Sequence, residues 1–194
     1  MNVVAVQGQE RGTLGKKASK SDRRSEIIPC VLYGGDQPVH FTTTGKEVKN
    51  LIYTGDFKLA ELEIGGKKVK SIVKEVQFHP VTDKIMHIDF LRLIDDTPIK
   101  VELPVRFRGT SPGVRIGGKL IQNLRKVKVK TLPKDLVDHV LIDISSLELG
   151  QSIRVRDIDA NEGVEIMNAP GIPVATIEIP RAMRSAATAA AKAK

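Results

Sequence analysis

The sequence predicts a mainly β protein. Three observations carry that expectation: short runs in which apolar and polar residues alternate, turn residues between them at close spacing, and helical periodicity confined to one well-marked stretch. At 194 residues the chain falls between one domain and two, with enough length for a real core. A hydrophobic fraction of 41% and a charged fraction of 28% are those of a folded globular protein.

In chain order the expected strands begin with "VVAVQ", "PCVLYG" and "PVHFTT", each rich in Val, Ile or Phe and bounded by Gly, Pro or Asp. Residues "RGTLGKKASKSDRR" between the first two are too polar for core, and a weak helix is expected over about residues 17–26. The marked helix follows Thr44, where Thr44 and Glu47 have capping-box spacing and Val48, Leu51 and Ile52 form a stripe at i, i+3, i+4. "FKLAELEI" and "KVKSIVKEVQF" read as a hairpin turning at Gly65-Gly66, and "KIMHIDFLRL" reads as one more strand. In that strand Met86, Ile88 and Phe90 should face one way, and His87 and Asp89 the other.

"IDDTPIK" at residues 94–100 interrupts the pattern, so the expected division is 1–94, then 95–181, then a low-complexity basic tail at 182–194, disordered or loosely helical. The second part is read as all β, through "IKVELPVRFRG", "RKVKVKTLP", "HVLIDISSL", "SIRVRDI", "VEIM" and "VATIEIP".

Composition narrows the function. The formal net charge of +8 favours a polyanionic partner, nucleic acid before an anionic membrane surface. Cys30 is the single cysteine, which excludes a disulfide within the chain and any cysteine-based zinc site. No run approaches the ~18 apolar residues of a membrane span, and the N-terminus lacks a basic start followed by an apolar segment; a cytoplasmic setting with no membrane partner is expected. Aromatics are only 4% with no Trp, so a structured, duplex-like nucleic acid fits better than a single strand gripped by stacking.

Charge is concentrated. Between Arg11 and Arg24 stand Arg11, Lys16, Lys17, Lys20, Arg23 and Arg24 against Asp22 alone. A solvated loop would look much the same, yet clustered Arg and Lys among Gly and Ser also hold phosphates, and that reading outweighs the bland one. The run Lys119–Lys134 is equally basic, but Lys126, Lys128 and Lys130 alternate with Val127 and Val129 as on any half-exposed strand.

Catalytic signals are weak. "GVRIGGK", Gly113–Lys119, has the glycine and lysine spacing of a phosphate loop, but Leu120 stands where Ser or Thr should hold magnesium, so it reads as a glycine-rich turn. His79, His87 and Asp89 could be imagined as metal ligands, though no HExxH-type spacing supports it, and no nucleophile motif is present. No enzyme, cofactor, metal or small-molecule substrate is expected.

"RGTLGKKASKSDRR", "IPCVLYGG", "VKEVQFHPVTDKIMHIDFLRL" and "GVRIGGKLIQNLRKVKVKTLP", in that order, resemble the bacterial large-subunit ribosomal protein family L-twenty-five in its long, two-domain form, the Ctc or general stress type. The resemblance spans about residues 1–180. It implies an N-terminal β-barrel with a few helices that binds 5S rRNA at its loop E region and stabilises the central protuberance, followed by a β-rich C-terminal domain. It implies RNA contacts at Arg11, Lys16, Ser19, Arg23, Arg24, Tyr33, His87 and Asp89, with Lys20, Gln77 and His79 beside them. Its implied partners are 5S rRNA, the large ribosomal subunit and neighbouring ribosomal proteins, with the ribosome as location. The chain departs from the family at Lys20, Ser21 and Asp22, where arginines and then an apolar residue are usual, and at Phe78, where arginine is common. Two rival functions remain at this point: a phosphate-handling or metal-dependent enzyme, and an RNA-binding stress factor acting off the ribosome.

Overall fold

The computed structural model describes residues 2–35, 37–159 and 163–180; the expected tail at 182–194 lies outside them. The chain forms two compact units, Met1–Ile99 with Leu132–Asp138, and Lys100–Thr131 with His139–Lys194. Residues 132–138 join the first unit, where Lys134 Nζ lies 3.5 Å from Asp96 Oδ1.

The first unit is a closed six-stranded barrel of β1 (Val3–Glu10), β2 (Ile27–Tyr33), β3 (Val39–Thr44), β4 (Leu59–Ile64), β5 (Lys67–Phe78) and β6 (Ile85–Arg92), in the order β1-β3-β2-β6-β5-β4. Closure comes from parallel pairing of β1 with β4, Val3 opposite Leu59 through Gly8 opposite Ile64. The ring leaves no unpaired edge, which removes the usual aggregation hazard of strands. Alternation delivers one face of each strand to the interior, where Val6, Phe41, Leu62, Ile88 and Phe90 are fully buried. Phe41 and Phe90 meet with ring centroids 5.6 Å apart. Burying each such side chain is worth roughly 1.5–3 kcal/mol.

The β4–β5 hairpin turns where expected. Gly65 and Gly66 adopt φ of 56° and 78°, a conformation that L side chains adopt at a cost. Helix α2 (Gly45–Ile52) buries Val48 and Leu51, as its stripe requires. The expected capping box does not form: Thr44 takes the N-cap position, but its side chain makes no cap hydrogen bond. Helix α1 (Lys16–Arg24) buries none of its residues, since its sequence offers only Ala18 as an apolar side chain.

The second unit is β-rich. Strands β7 (Ile99–Arg108), β9 (Lys126–Thr131), β10 (Val140–Asp143) and β12 (Val164–Ile166) form a four-stranded sheet, order β10-β7-β9-β12. Strands β8 (Lys119–Gln122), β11 (Ser152–Arg154) and β13 (Pro173–Glu178) form a second, order β11-β13-β8. Lys128 and Lys130 pair with Glu102 and Glu165 at 3.8 and 3.3 Å, as side chains on a solvated sheet face do.

The phosphate-loop lookalike is explained by packing. Gly113 is the second residue of a short helix, α3 (Pro112–Arg115), whose N-terminal amides at Gly113 and Val114 bond to Ser111 Oγ. A Cβ at Gly118 would lie 2.5 Å from Ile177 Cγ2 and 2.6 Å from the Gly113 carbonyl oxygen, so the glycines allow β13 and the loop to approach closely.

Candidate nucleic-acid interface

Strand β6 lies between β2 and β5, so its polar face becomes the middle of a three-strand surface. Register places Val31 opposite Asp89 and Tyr33 opposite Leu91 on one side. On the other, Gln77 lies opposite His87 and Glu75 opposite Asp89. Residues directly opposed in an antiparallel pair share a face. Ile88 and Phe90 are fully buried, while the His87 and Asp89 side chains are 31% and 30% exposed, which is the alternation expected of this strand.

His87 and Asp89 are engaged with each other. Nδ1 of His87 is the donor to Asp89 Oδ1 at 2.8 Å, leaving Nε2 and the second carboxylate oxygen for an outside partner. Tyr33 stands at the end of β2 beside them. Its phenol pKa is raised by burial first, then by the negative charges of Asp89 and Glu75, so the hydroxyl stays protonated and able to donate. The patch therefore holds both donors and acceptors.

His79 has a local task. Its Nδ1 accepts from the amides of Val81 and Thr82, each at 3.3 Å, and braces the turn between β5 and β6. That turn is tied to the loop after α1 by Lys84 Nζ and Glu26 Oε1 at 2.9 Å. The Lys84 hydrogen bond, then its charge, lowers the Glu26 pKa. Phe78, the residue after Gln77, is 44% exposed and meets the ring of Tyr53 edge-on, with centroids 6.4 Å apart.

The basic segment lies next to this surface, because α1 leads through Ser25 and Glu26 into β2 and packs against it. Lys16, Lys20, Arg23 and Arg24 are exposed. Arg11 and Ser19 are not free in the same way: Arg11 Nη2 donates to Asp22 Oδ2 at 2.8 Å and to Ser19 Oγ at 3.2 Å, and its side chain is only 9% exposed. The expected set thus separates into an outward polar patch (Tyr33, Gln77, His87, Asp89), an exposed basic helix (Lys16, Lys20, Arg23, Arg24), a turn brace (His79) and an internal tie (Arg11, Ser19).

Sequence reasoning passed over Glu75 and His40, which continue the row formed by Val31 and Asp89. Simple alternation from Gln77 would also put Val73 outward. A bulge between Val73 and Glu75 resets the phase, so Val73 packs on the core while Glu75 faces out. Among the described residues no three His, Cys, Asp or Glu side chains gather so as to hold a metal ion. No described helix is long and apolar enough to cross a membrane.

Comparison with known proteins gives a consistent result. Residues 6–90 match the ribosomal L25p family, and residues 98–181 match the C-terminal domain of ribosomal protein TL5. The chain is 46% identical over 192 residues to large ribosomal subunit protein bL25 of Cytophaga hutchinsonii, covering 99% of this chain and 100% of that protein. It is 42% identical over 183 residues to the bL25 protein of Bacteroides fragilis, covering 94% and 93%. The bL25 protein of Porphyromonas gingivalis is 43% identical over 189 residues, covering 96% and 98%.

Proposed function

The chain belongs to the bL25 family of structural, non-enzymatic large-subunit ribosomal proteins, in its Ctc-type form, and from that premise we propose that it binds 5S rRNA, at the loop E region, and buttresses the central protuberance of the bacterial ribosome in the cytoplasm. The observation that carries this reading is the outward row on β2, β6 and β5, with Tyr33, His87, Asp89 and Gln77 beside the exposed basic helix α1. RNA duplexes offer a wide minor groove lined with 2′-hydroxyls and base edges. A protonated Tyr33 hydroxyl, the His87 ring and the Gln77 amide supply donors there, while Asp89 accepts from hydroxyl or amino groups. Lys16, Lys20, Arg23 and Arg24 meet the flanking phosphates, fixing register without reading sequence.

The carboxylate on an RNA face is consistent with this chemistry. A base amino group or 2′-hydroxyl needs an acceptor, and His87 holds Asp89 in a fixed orientation to provide one. A gel shift of 5S rRNA against an unrelated duplex of equal length tests the reading; equal affinity for both would reject it. Cosedimentation with large subunits at moderate salt separates a resident ribosomal protein from a factor acting off the ribosome.

A further inference from the structure

We propose that Arg11 serves RNA binding as a positioning residue: through Asp22 and Ser19 it clamps helix α1 to the barrel and sets the direction in which the basic stripe of that helix points. The inference rests on the RNA-binding reading above, but it gives Arg11 a role different from a direct phosphate contact.

Apart from its packing against β2, helix α1 has little else to hold it. Its nine residues, KKASKSDRR, include one apolar side chain, and none is buried. A helix of that length is marginal in water without tertiary support. At its N-terminus Gly15 supplies no side-chain cap and the first turn has no acid, while Lys16 and Lys17 oppose the helix dipole. The far end is better provided, with Arg23 and Arg24 in the last turn and the Ser25 amide bonding back to the helix carbonyls.

Arg11 is anchored at its own backbone. Its amide donates to the His40 carbonyl at 3.0 Å, continuing the β1–β3 pairing of Gln9 with Thr42 and Glu10 with Phe41. From that fixed point its guanidinium reaches 8 and 11 residues along the chain to Ser19 Oγ and Asp22 Oδ2. Ser19 and Asp22 are three residues apart and so lie on one face of the helix. With the guanidinium 9% and the carboxylate 26% exposed, the pair is partly withdrawn from water and tighter than a surface ion pair.

Geometry gives the clamp its consequence. Lys16, Lys20, Arg23 and Arg24 follow i, i+4, i+7 and i+8 spacing, which is one stripe along the helix. The Ser19–Asp22 face is turned from that stripe by roughly a third of a revolution at about 100° per residue. A contact on the first face therefore fixes the rotation of the helix and the aim of the second. Without it, RNA must order α1 itself, and affinity falls although no phosphate contact has been removed.

The test is 5S rRNA affinity of the full chain as a function of salt, with amide hydrogen exchange of the free protein. The clamp predicts that Asp22→Ala weakens binding about tenfold even though it deletes a negative charge beside RNA, and that Arg11→Ala does the same with an unchanged salt slope. The double variant should be no worse than either single one, and the exchanged pair Arg11→Asp with Asp22→Arg should recover most of the affinity. The Ser19 amide, bonded to the Gly15 carbonyl at 3.0 Å, should exchange faster in Asp22→Ala while β2 and β6 amides do not change. Tighter binding by Asp22→Ala, or a slope flattened by about one unit in Arg11→Ala, would overturn the clamp and make Arg11 a phosphate ligand. If the wild-type chain fails to bind 5S rRNA, the RNA reading falls by itself; unchanged exchange in α1 of Asp22→Ala would separately reject the clamp.

Discussion

His87 Nδ1 and Asp89 Oδ1 lie 2.8 Å apart on alternate residues of one strand, both on the face that the barrel turns outward. The pair is part-exposed, so its worth to the fold is small, about 0–1 kcal/mol. In the proposed RNA complex its worth would be larger, because the carboxylate would become a desolvated acceptor. Asp89→Ala and Asp89→Asn should each weaken 5S binding by roughly 1–3 kcal/mol with little change in salt slope. A purely electrostatic surface would bind tighter after either change, and a large fall in melting temperature would assign the pair to folding.

Arg23 and Arg24 are exposed in the last turn of α1, where their charge also complements the helix dipole. Arg23→Ala and Arg24→Ala should each flatten the dependence of log affinity on log salt by about one unit. Slopes equal to wild type would mean that both are merely solvated.

Tyr33 makes a prediction about pH. Its phenol pKa is raised in the folded state by burial, Asp89 and Glu75, so the folded chain holds that proton more firmly than the unfolded chain. The stability associated with the neutral phenol is fully present below the unfolded tyrosine pKa of about 10 and is lost as pH rises through the folded value. Tyr33→Phe should therefore reduce the loss of urea resistance on going from about pH 8 to above pH 10. An alkaline loss identical to wild type would contradict the assignment.

Gly118→Ala separates packing from phosphate binding in the second unit. The added Cβ has Ile177 Cγ2, the Gly113 carbonyl oxygen and Leu149 Cδ2 all within 2.6 Å, so about 1–3 kcal/mol of destabilisation is expected in thermal unfolding. 5S affinity should not change, since none of the proposed contacts lies in that unit. Unaltered stability would show that the loop has room its glycines do not need.

Met1–Ile99 contains the whole barrel, both helices beside it and every proposed contact. We propose that it folds alone and keeps most of the 5S affinity; circular dichroism and a gel shift check both. Binding confined to a fragment beginning at Lys100 would place the interface on the wrong unit.

The strands were readable because half-buried strands must alternate: the inward set around Ile88 and Phe90 and the outward pair His87 and Asp89 follow from "KIMHIDFLRL" alone. Gly65-Gly66 announced its turn for an equally local reason, the need for positive φ. Closure into a barrel did not follow from any run, since parallel pairing of β1 with β4 joins segments more than fifty residues apart. Alternation from Gln77 misplaces Val73, because a bulge shifts strand phase without leaving a distinctive residue. The basic segment was visible as charge, but whether Arg11 points outward or back to Asp22 depends on where α1 packs.

The most direct measurement of the central claim is the affinity of the full chain for 5S rRNA beside its affinity for an unrelated RNA duplex of equal length, in the same salt. The outward row and the basic helix predict 5S binding tighter by about a thousandfold, the lower end of the usual ratio between specific and non-specific sites, and a ratio that shrinks in Asp89→Ala. Equal affinity for both RNAs, with a ratio that Asp89→Ala leaves untouched, would contradict it.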